Sequence, residues 1–255
     1  MTIQISKTEI SKIVRKIQPI QLSRINQLVL FVGHAHSGHS IIGSILDAHN
    51  DIALANEVNI VKLIHEYQLT QVEIESILLH YSLLNGDSNS WHNSEYVYKI
   101  KNSLQGKTKN PTIIGDKKAG GTTRIFYNNP QLLNKIMQIY GDELKFVFVE
   151  RNPVDIVAAY SYYMKQPPSQ FHVDRFNENL NTVKLIQSTV QDHQFLKIKQ
   201  EKFIKQPYEV VVKLLEFLNI NYEPSQIDKW VKNVRADIPG KSSQIEIPAK
   251  LLVQL

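Results

Sequence analysis

Four groups of residues in this chain have types and spacings suited to chemistry on an anion: Gly33-His34-Ala35-His36-Ser37-Gly38-His39-Ser40, Glu57, Asp116-Lys117, and Arg151-Asn152-Pro153-Val154-Asp155. The first follows the Gly-x-x-x-x-Gly-Lys-Ser spelling of loops that cradle phosphate with backbone N–H groups, except that His39 stands where the lysine belongs. A permanent positive charge is therefore missing from the place an ATP-using enzyme most needs one. Glu57 is a carboxylate available as a proton acceptor if burial lifts its pKa toward the working pH. Arg151 offers a guanidinium fork matched to phosphate. His34, His36 and His39 also read as a three-imidazole metal set. Residues this close on one small loop rarely all converge, and the glycine spacing already has an explanation, so no metal is expected.

The elements that must position these groups follow from periodicity. Leu28 to Val32 is apolar throughout and reads as a buried strand, and Ser40 to His49 reads as a helix with Ile41, Ile42, Ile45 and Leu46 toward a core. Asp51 to Ala55 is a brief extended piece that delivers Glu57 to a helix over Val58 to Tyr67. Thr70 and Glu73 form a capping box for a helix through about Leu84. Asn85 to Asn89 then reads as a polar turn, and Trp91 to Leu104 as a helix. Pro111 to Gly115 is a short strand leading into Asp116-Lys117-Lys118, with Lys118 directed away toward solvent.

Pro130 to Tyr140 suits a helix, Leu144 to Glu150 is the second strong strand, and Arg151-Asn152-Pro153 turns out of it into a helix over Val154 to Lys165. Gln166 to Gln170 is a loop of the kind that covers sites. A long helix over Asp174 to Gln191, a last parallel strand over Gln194 to Lys199, a helix over Pro207 to Leu218 and a short one around Ile227 to Val234 complete the pattern. Ser6 to Ile17 reads as an amphipathic helix ended by Pro19. Alternation of this kind predicts an α/β, P-loop-like three-layer fold: a central parallel sheet with helices on both faces. One domain is expected over residues 1–255, with an N-terminal extension (1–25) and a basic C-terminal tail (235–255). Ligands of such sheets lie beyond the carboxyl ends of the strands, where the marked segments converge.

Composition narrows the class. The chain of 255 residues is 42% hydrophobic and 21% charged, ordinary for a globular protein. A net charge of +5 suits an anionic ligand, but the lysines are scattered, and nucleic acid is not expected as a partner. With no cysteine there are no disulfides and no thiolate metal or redox sites. No apolar run approaches the roughly 20 residues that span a bilayer, and the N-terminus has no signal-peptide core, so a cytoplasmic, unanchored protein is expected.

Together the marked segments resemble the sulfotransferase family, which uses 3′-phosphoadenosine 5′-phosphosulfate. His36-Ser37-Gly38-His39-Ser40 resembles the 5′-phosphosulfate loop, normally a lysine or arginine followed by Ser-Gly-Thr-Thr. Arg151-Asn152-Pro153-Val154-Asp155 resembles the 3′-phosphate motif Arg-x-Pro-x-Asp. Gly115-Asp116-Lys117 is similar to a segment of the carbohydrate and tyrosylprotein branches, although Lys118-Ala119 replaces their Thr-Pro. Glu201 to Ile220 resembles the family's acidic turn, proline and helix ending in Phe-Leu-Gly-Ile.

The resemblance implies a sulfotransferase that moves a sulfuryl group from that donor to a hydroxyl of a small molecule, carbohydrate or peptide. It implies donor binding by Gly33, His34, Ala35, His36, Ser37, Gly38, His39 and Ser40, with Arg151 on the 3′-phosphate and Arg235 and Lys241 adding charge from the tail. Catalytic roles fall to Glu57 as base, Lys117 against the transferring group, and His36 in place of a fixed cation. Glu57 lies 21 residues after His36, beyond a Leu46-Asp47-Ala48-His49 run similar to that of tyrosylprotein sulfotransferases. Ala159 stands where the family places a serine eight residues after the arginine, and Ser161 points to another helix face. With an imidazole at His36, binding or turnover is expected to improve as pH falls toward about 6. Trp91, Tyr96, Tyr98, Tyr160, Tyr162 and Tyr163 are aromatic groups that suit either an acceptor pocket or the core. Two other readings stay open: a non-catalytic nucleotide-binding or interaction protein on the same fold, and a P-loop kinase or NTPase.

Overall fold

The computed structural model describes residues 4–87, 98–235 and 240–255. In chain order its elements are α1 (Lys7–Lys16), α2 (Pro19–Leu22), β1 (Gln27–Val32), α3 (His39–Asp47), β2 (Ile52–Asn56), α4 (Ile60–Tyr67), α5 (Gln71–Asp87) and β3 (Ile113–Lys117). They continue as α6 (Gly120–Asn128), α7 (Gln131–Tyr140), β4 (Leu144–Glu150), α8 (Pro153–Met164), α9 (Gln170–Thr189) and β5 (Phe195–Lys199). α10 (Gln200–Lys205), α11 (Pro207–Phe217), α12 (Pro224–Val231) and α13 (Ala249–Leu252) end the series. The strands form one sheet in the order β2-β3-β1-β4-β5, and every pairing is parallel.

β1 is buried along its whole length, so both of its faces need apolar cover. Its alternate residues divide the core. Leu28, Leu30 and Val32 face a layer built from α1, α4, α5, α6, α7 and α9, while Val29 and Phe31 face α3, α10, α11 and α12. This is the three-layer arrangement read from the alternation of strands and helices. β3, β1 and β4 are adjacent, so the three segments that leave their carboxyl ends emerge side by side.

Several local expectations change. The extended piece before Glu57 is a full edge strand, β2, whose Ala53 and Ala55 are small enough to sit beneath α4 and α5. α5 continues to Asp87, across the start of the expected polar turn. Within the expected Trp91–Leu104 helix, residues 98–104 are not helical, and residues 88–97 lie outside the described residues. The Thr70–Glu73 capping box is present: Thr70 N–H donates to Glu73 Oε2 at 2.8 Å, and Glu73 N–H to Thr70 Oγ1 at 3.3 Å. α6 was not legible, because Gly120-Gly121-Thr122-Thr123 combines poor helix formers. Its two glycines are required by tertiary packing. A Cβ on Gly120 would lie 2.7 Å from the Ala35 amide nitrogen, so this helix starts directly against the loop that follows β1.

Candidate functional site

The loop between β1 and α3 closes on Gly38, whose φ of +89° suits glycine and opens the helix without a side-chain cap. Its three histidines have three fates. His34 is buried, stacked on Phe176 with ring centroids 4.5 Å apart, with Nδ1 3.2 Å from the Tyr160 hydroxyl. Burial pushes its imidazole down to about 3, so it is a neutral core residue and its side chain faces the core rather than the loop mouth. His39 is also buried, with Nδ1 3.0 Å from Ser37 Oγ. Burial, and then the charge of Lys117, pushes it down to about 3, so it does not replace the missing lysine as a cation. His36 is half-buried, holds a left-handed backbone (φ 66°) and stacks on Tyr163 at 4.1 Å.

The backbone of the loop is partly committed already. Gly33 N–H donates to Thr123 Oγ1 of α6 at 2.7 Å, which removes it from the set of phosphate donors read from the sequence. Ser37 Oγ donates to the His34 carbonyl at 3.1 Å, and Ser40 Oγ accepts from Lys117 Nζ at 3.2 Å.

Glu57 is brought to this loop by strand register. Asn56 on β2 pairs with Lys117 on β3, and the Glu57 N–H continues the ladder to the Lys117 carbonyl at 3.2 Å. Asp47 supports that register from α3: its Oδ1 accepts from the Leu54 N–H at 2.8 Å, and its Oδ2 from the Gly106 N–H at 3.0 Å. The run Leu46-Asp47-Ala48-His49 thus acts through structure, and His49 Nε2 lies 3.0 Å from the Asn221 carbonyl oxygen. Lys117 Nζ donates to Glu57 Oε1 and Lys118 Nζ to Glu57 Oε2. Lys118 is only 15% exposed and belongs to the site, contrary to the expectation that it points to solvent.

This pairing reverses the expected tuning of Glu57. Burial raises its pKa, but Lys117 and Lys118 outweigh burial and bring the carboxyl down to about 2. Burial in turn lowers Lys117. The adjacent Asp116 is fully buried and accepts from Ile60 N–H at 2.8 Å and Val58 N–H at 3.3 Å, so it fixes the start of α4 behind Glu57. Burial pushes Asp116 up to about 7, against the pull of the Ile60 N–H.

Arg151 leaves β4 beside the loop. Its Nη1 donates to the His36 carbonyl at 2.7 Å, Nη2 reaches Asp155 Oδ2 at 3.4 Å, and Nε is buried without a partner. Asp155 also accepts from the backbone N–H and hydroxyl of Ser242, which ties the C-terminal segment to α8. Lys241 Nζ lies 3.8 Å from the ring centroid of Tyr162 and 5.7 Å from that of Tyr163, next to His36. Arg235 is exposed in the segment after α12. Ala159 is buried, and Ser161 Oγ donates to the Gln166 carbonyl, away from Arg151.

Of the aromatic groups, Trp91 and Tyr96 lie outside the described residues. Tyr98 packs against the core on the α3 and α11 side, and Tyr160 is buried. Tyr162 and Tyr163 are exposed beside the loop. Thr123, Lys118 and the Gly120-Gly121 pair contact the candidate site residues, and sequence reading missed them. The one local signal was a double glycine directly after Asp-Lys-Lys. Among the described residues there is no group of three or more His, Asp or Glu that could hold a metal ion, and no helix long and apolar enough to cross a membrane.

A family model described as "Sulfotransferase family" matches residues 29–224. Comparison with curated protein sequences gives no match. Among solved structures, the sulfotransferase domain from the curacin biosynthetic pathway is 15% identical with a TM-score of 0.53, over 89% of this chain and all of that one. Sulfotransferase STF9 from Mycobacterium avium is 9% identical with a TM-score of 0.58, over 96% of this chain and 79% of that one. The sulfotransferase domain of the Synechococcus PCC 7002 olefin synthase is 14% identical with a TM-score of 0.52, over 89% and 83%. At these identities the structural likeness is one of fold.

Proposed function

The chain belongs to the sulfotransferase family, and we propose that it moves a sulfuryl group from 3′-phosphoadenosine 5′-phosphosulfate to a hydroxyl acceptor. The observation that supports this reading most is a convergence. The β1 loop, the Lys117–Glu57 pair and Arg151 stand at the carboxyl ends of three adjacent parallel strands. An anion set there meets the N-terminus of α3, the Lys117 ammonium and a guanidinium whose buried Nε lacks a partner.

In this reading Arg151 takes the 3′-phosphate, the loop amides from Ala35 to Ser40 take the 5′-phosphate, and Lys117 offsets charge on the transferring group and the leaving oxygen. Lys241 and Arg235 add positive charge from the C-terminal side. Glu57 accepts the proton of the acceptor hydroxyl as that oxygen bonds to sulfur. The bond from sulfur to the phosphate oxygen breaks, and its electron pair leaves on adenosine 3′,5′-bisphosphate. The acceptor is a hydroxyl of a small molecule, carbohydrate or peptide.

One observation favours a second reading, a nucleotide-binding protein without turnover: His39 is neutral where a fixed cation is usual, and Glu57 is held at about 2. Calorimetric titration with adenosine 3′,5′-bisphosphate at pH 6 and 7.5, with ATP as comparator, tests the donor class. Tight binding of the bisphosphate and weak binding of ATP is the expected outcome. Preference for ATP would turn the reading to a kinase or NTPase, and binding of neither would end it.

A further inference from the structure

We propose that Lys118 is a positioning residue for Glu57: it holds Oε2, and so leaves Oε1 as the oxygen that passes from Lys117 to the acceptor hydroxyl. The inference rests on the reading of Glu57 as the base.

The two lysines differ in what else they meet. Lys117 lies within β3, is 3% exposed, and also donates to Ser40 Oγ on the anion-binding loop. It can turn from the carboxylate to an anion on the loop without changing its place. Lys118 lies beyond the strand end and approaches the carboxylate from the side of α6.

That approach is built into the backbone. A Cβ on Gly121 would lie 2.7 Å from Lys118 Cγ, 2.9 Å from its Cε and 3.3 Å from Asn59 Nδ2, so the missing side chain is what makes room for the Lys118 stem. Both segments that meet here carry non-glycine residues in the left-handed half of backbone space: Glu57 (φ 66°), Asn59 (φ 61°) and Ala119 (φ 28°). Such positions are disfavoured for residues with side chains, persist where packing over-determines them, and cluster at functional sites.

The charges around Glu57 assign the role. Lys117 and Asp116 face it from β3, Lys118 from the turn beyond, and His39 from α3. His39 is neutral at neutral pH, and Asp116 is turned to the N–H groups of Val58 and Ile60. Once Lys117 turns to the sulfuryl group, Lys118 is the cation that remains on the carboxylate. It fixes the rotamer by one oxygen and sets how strongly the other attracts a proton. A carboxylate held by one ammonium is a stronger base than one held by two.

The test reads Glu57 directly. In protein with 13C-carboxyl-labelled glutamate, the Glu57 resonance is assigned by its loss in Glu57→Gln and titrated in wild type, Lys118→Met and Lys118→Arg without donor. Lys118→Met is expected to raise the Glu57 midpoint by about 1 to 3 on the pH scale, the usual effect of one adjacent charge. Lys118→Arg is expected to leave it near its wild-type position. In transfer assays the acid limb of the Lys118→Met profile moves with the midpoint, whereas a merely structural loss lowers the rate equally at every pH. If Lys118→Met does not fold, Gly121→Ala displaces the Lys118 stem and is expected to move the midpoint the same way. An unmoved Glu57 midpoint overturns the inference, and so does loss of adenosine 3′,5′-bisphosphate binding in Lys118→Met, which would make Lys118 a donor ligand. Because the midpoint is read without donor, absence of transfer in wild type strikes the sulfotransferase reading separately.

Discussion

Arg151 Nη1 donates to the carbonyl oxygen of His36 at 2.7 Å, which fastens the end of β4 to the apex of the loop that follows β1. The loop apex is therefore set before any ligand arrives, and Nε of the same guanidinium is left buried without a partner. Arg151→Lys keeps the charge but removes the planar fork. We expect affinity for adenosine 3′,5′-bisphosphate to fall about 10- to 100-fold, the scale of one or two charge-assisted hydrogen bonds. Calorimetry checks this, and an unchanged affinity would remove Arg151 from the site.

Glu57→Gln is expected to lower transfer about 100- to 10,000-fold, the usual contribution of a general base, while bisphosphate affinity is retained. A second readout concerns stability. The folded pKa of Glu57 is depressed from 4.5 to about 2, so its ion pairs stabilise the fold above the ordinary glutamate range and cease to as pH falls through about 2. Denaturant midpoints of wild type and Glu57→Gln should converge across that window. Equal gaps at pH 5 and pH 2 would contradict the clamp.

Asp116 has the opposite sign. Its folded pKa is raised from 3.8 to about 7, so its contribution to stability is complete below about 3.8 and lost as pH rises through about 7. Asp116→Asn keeps an oxygen for the Ile60 N–H and cannot ionise. Wild type should lose stability relative to this variant between pH 4 and 7 by on the order of 1 kcal/mol per pH unit. Urea unfolding at several pH values decides it; a constant difference refutes the assignment.

His34 and His39 are both held near 3, so neither titrates between pH 6 and 8. Asp116, at about 7, does take up a proton in that window, so the comparison is made in Asp116→Asn: a gain in bisphosphate binding from pH 7.5 to 6 that remains there should vanish on adding His36→Gln and persist on adding His34→Gln. A gain that survives in His36→Gln would place the proton elsewhere.

The sequence by itself determined the parts of this protein that depend on neighbours along the chain. An apolar run followed by Gly33-x-x-x-x-Gly38 reads as a strand, a loop and a helix start from its own residues, and it forms them here. Thr70 with Glu73 caps the start of α5, and Pro153 suits the first turn of α8, for the same local reason. Alternation of strands and helices then implied parallel neighbours and a site at their carboxyl ends. Tertiary structure decided the rest. Three histidines of one type in one loop became a stacked core ring, a half-buried ring on Tyr163 and a neutral partner of Ser37, because burial depends on residues far along the chain. Glu57 and Lys118 are 61 positions apart and meet through the β2–β3 register and the bare Cα of Gly121. Charge state follows from those meetings: desolvation and a nearby opposite charge act through space, and a carboxylate that reads in sequence as a rising base becomes, between two ammoniums, a clamped anion.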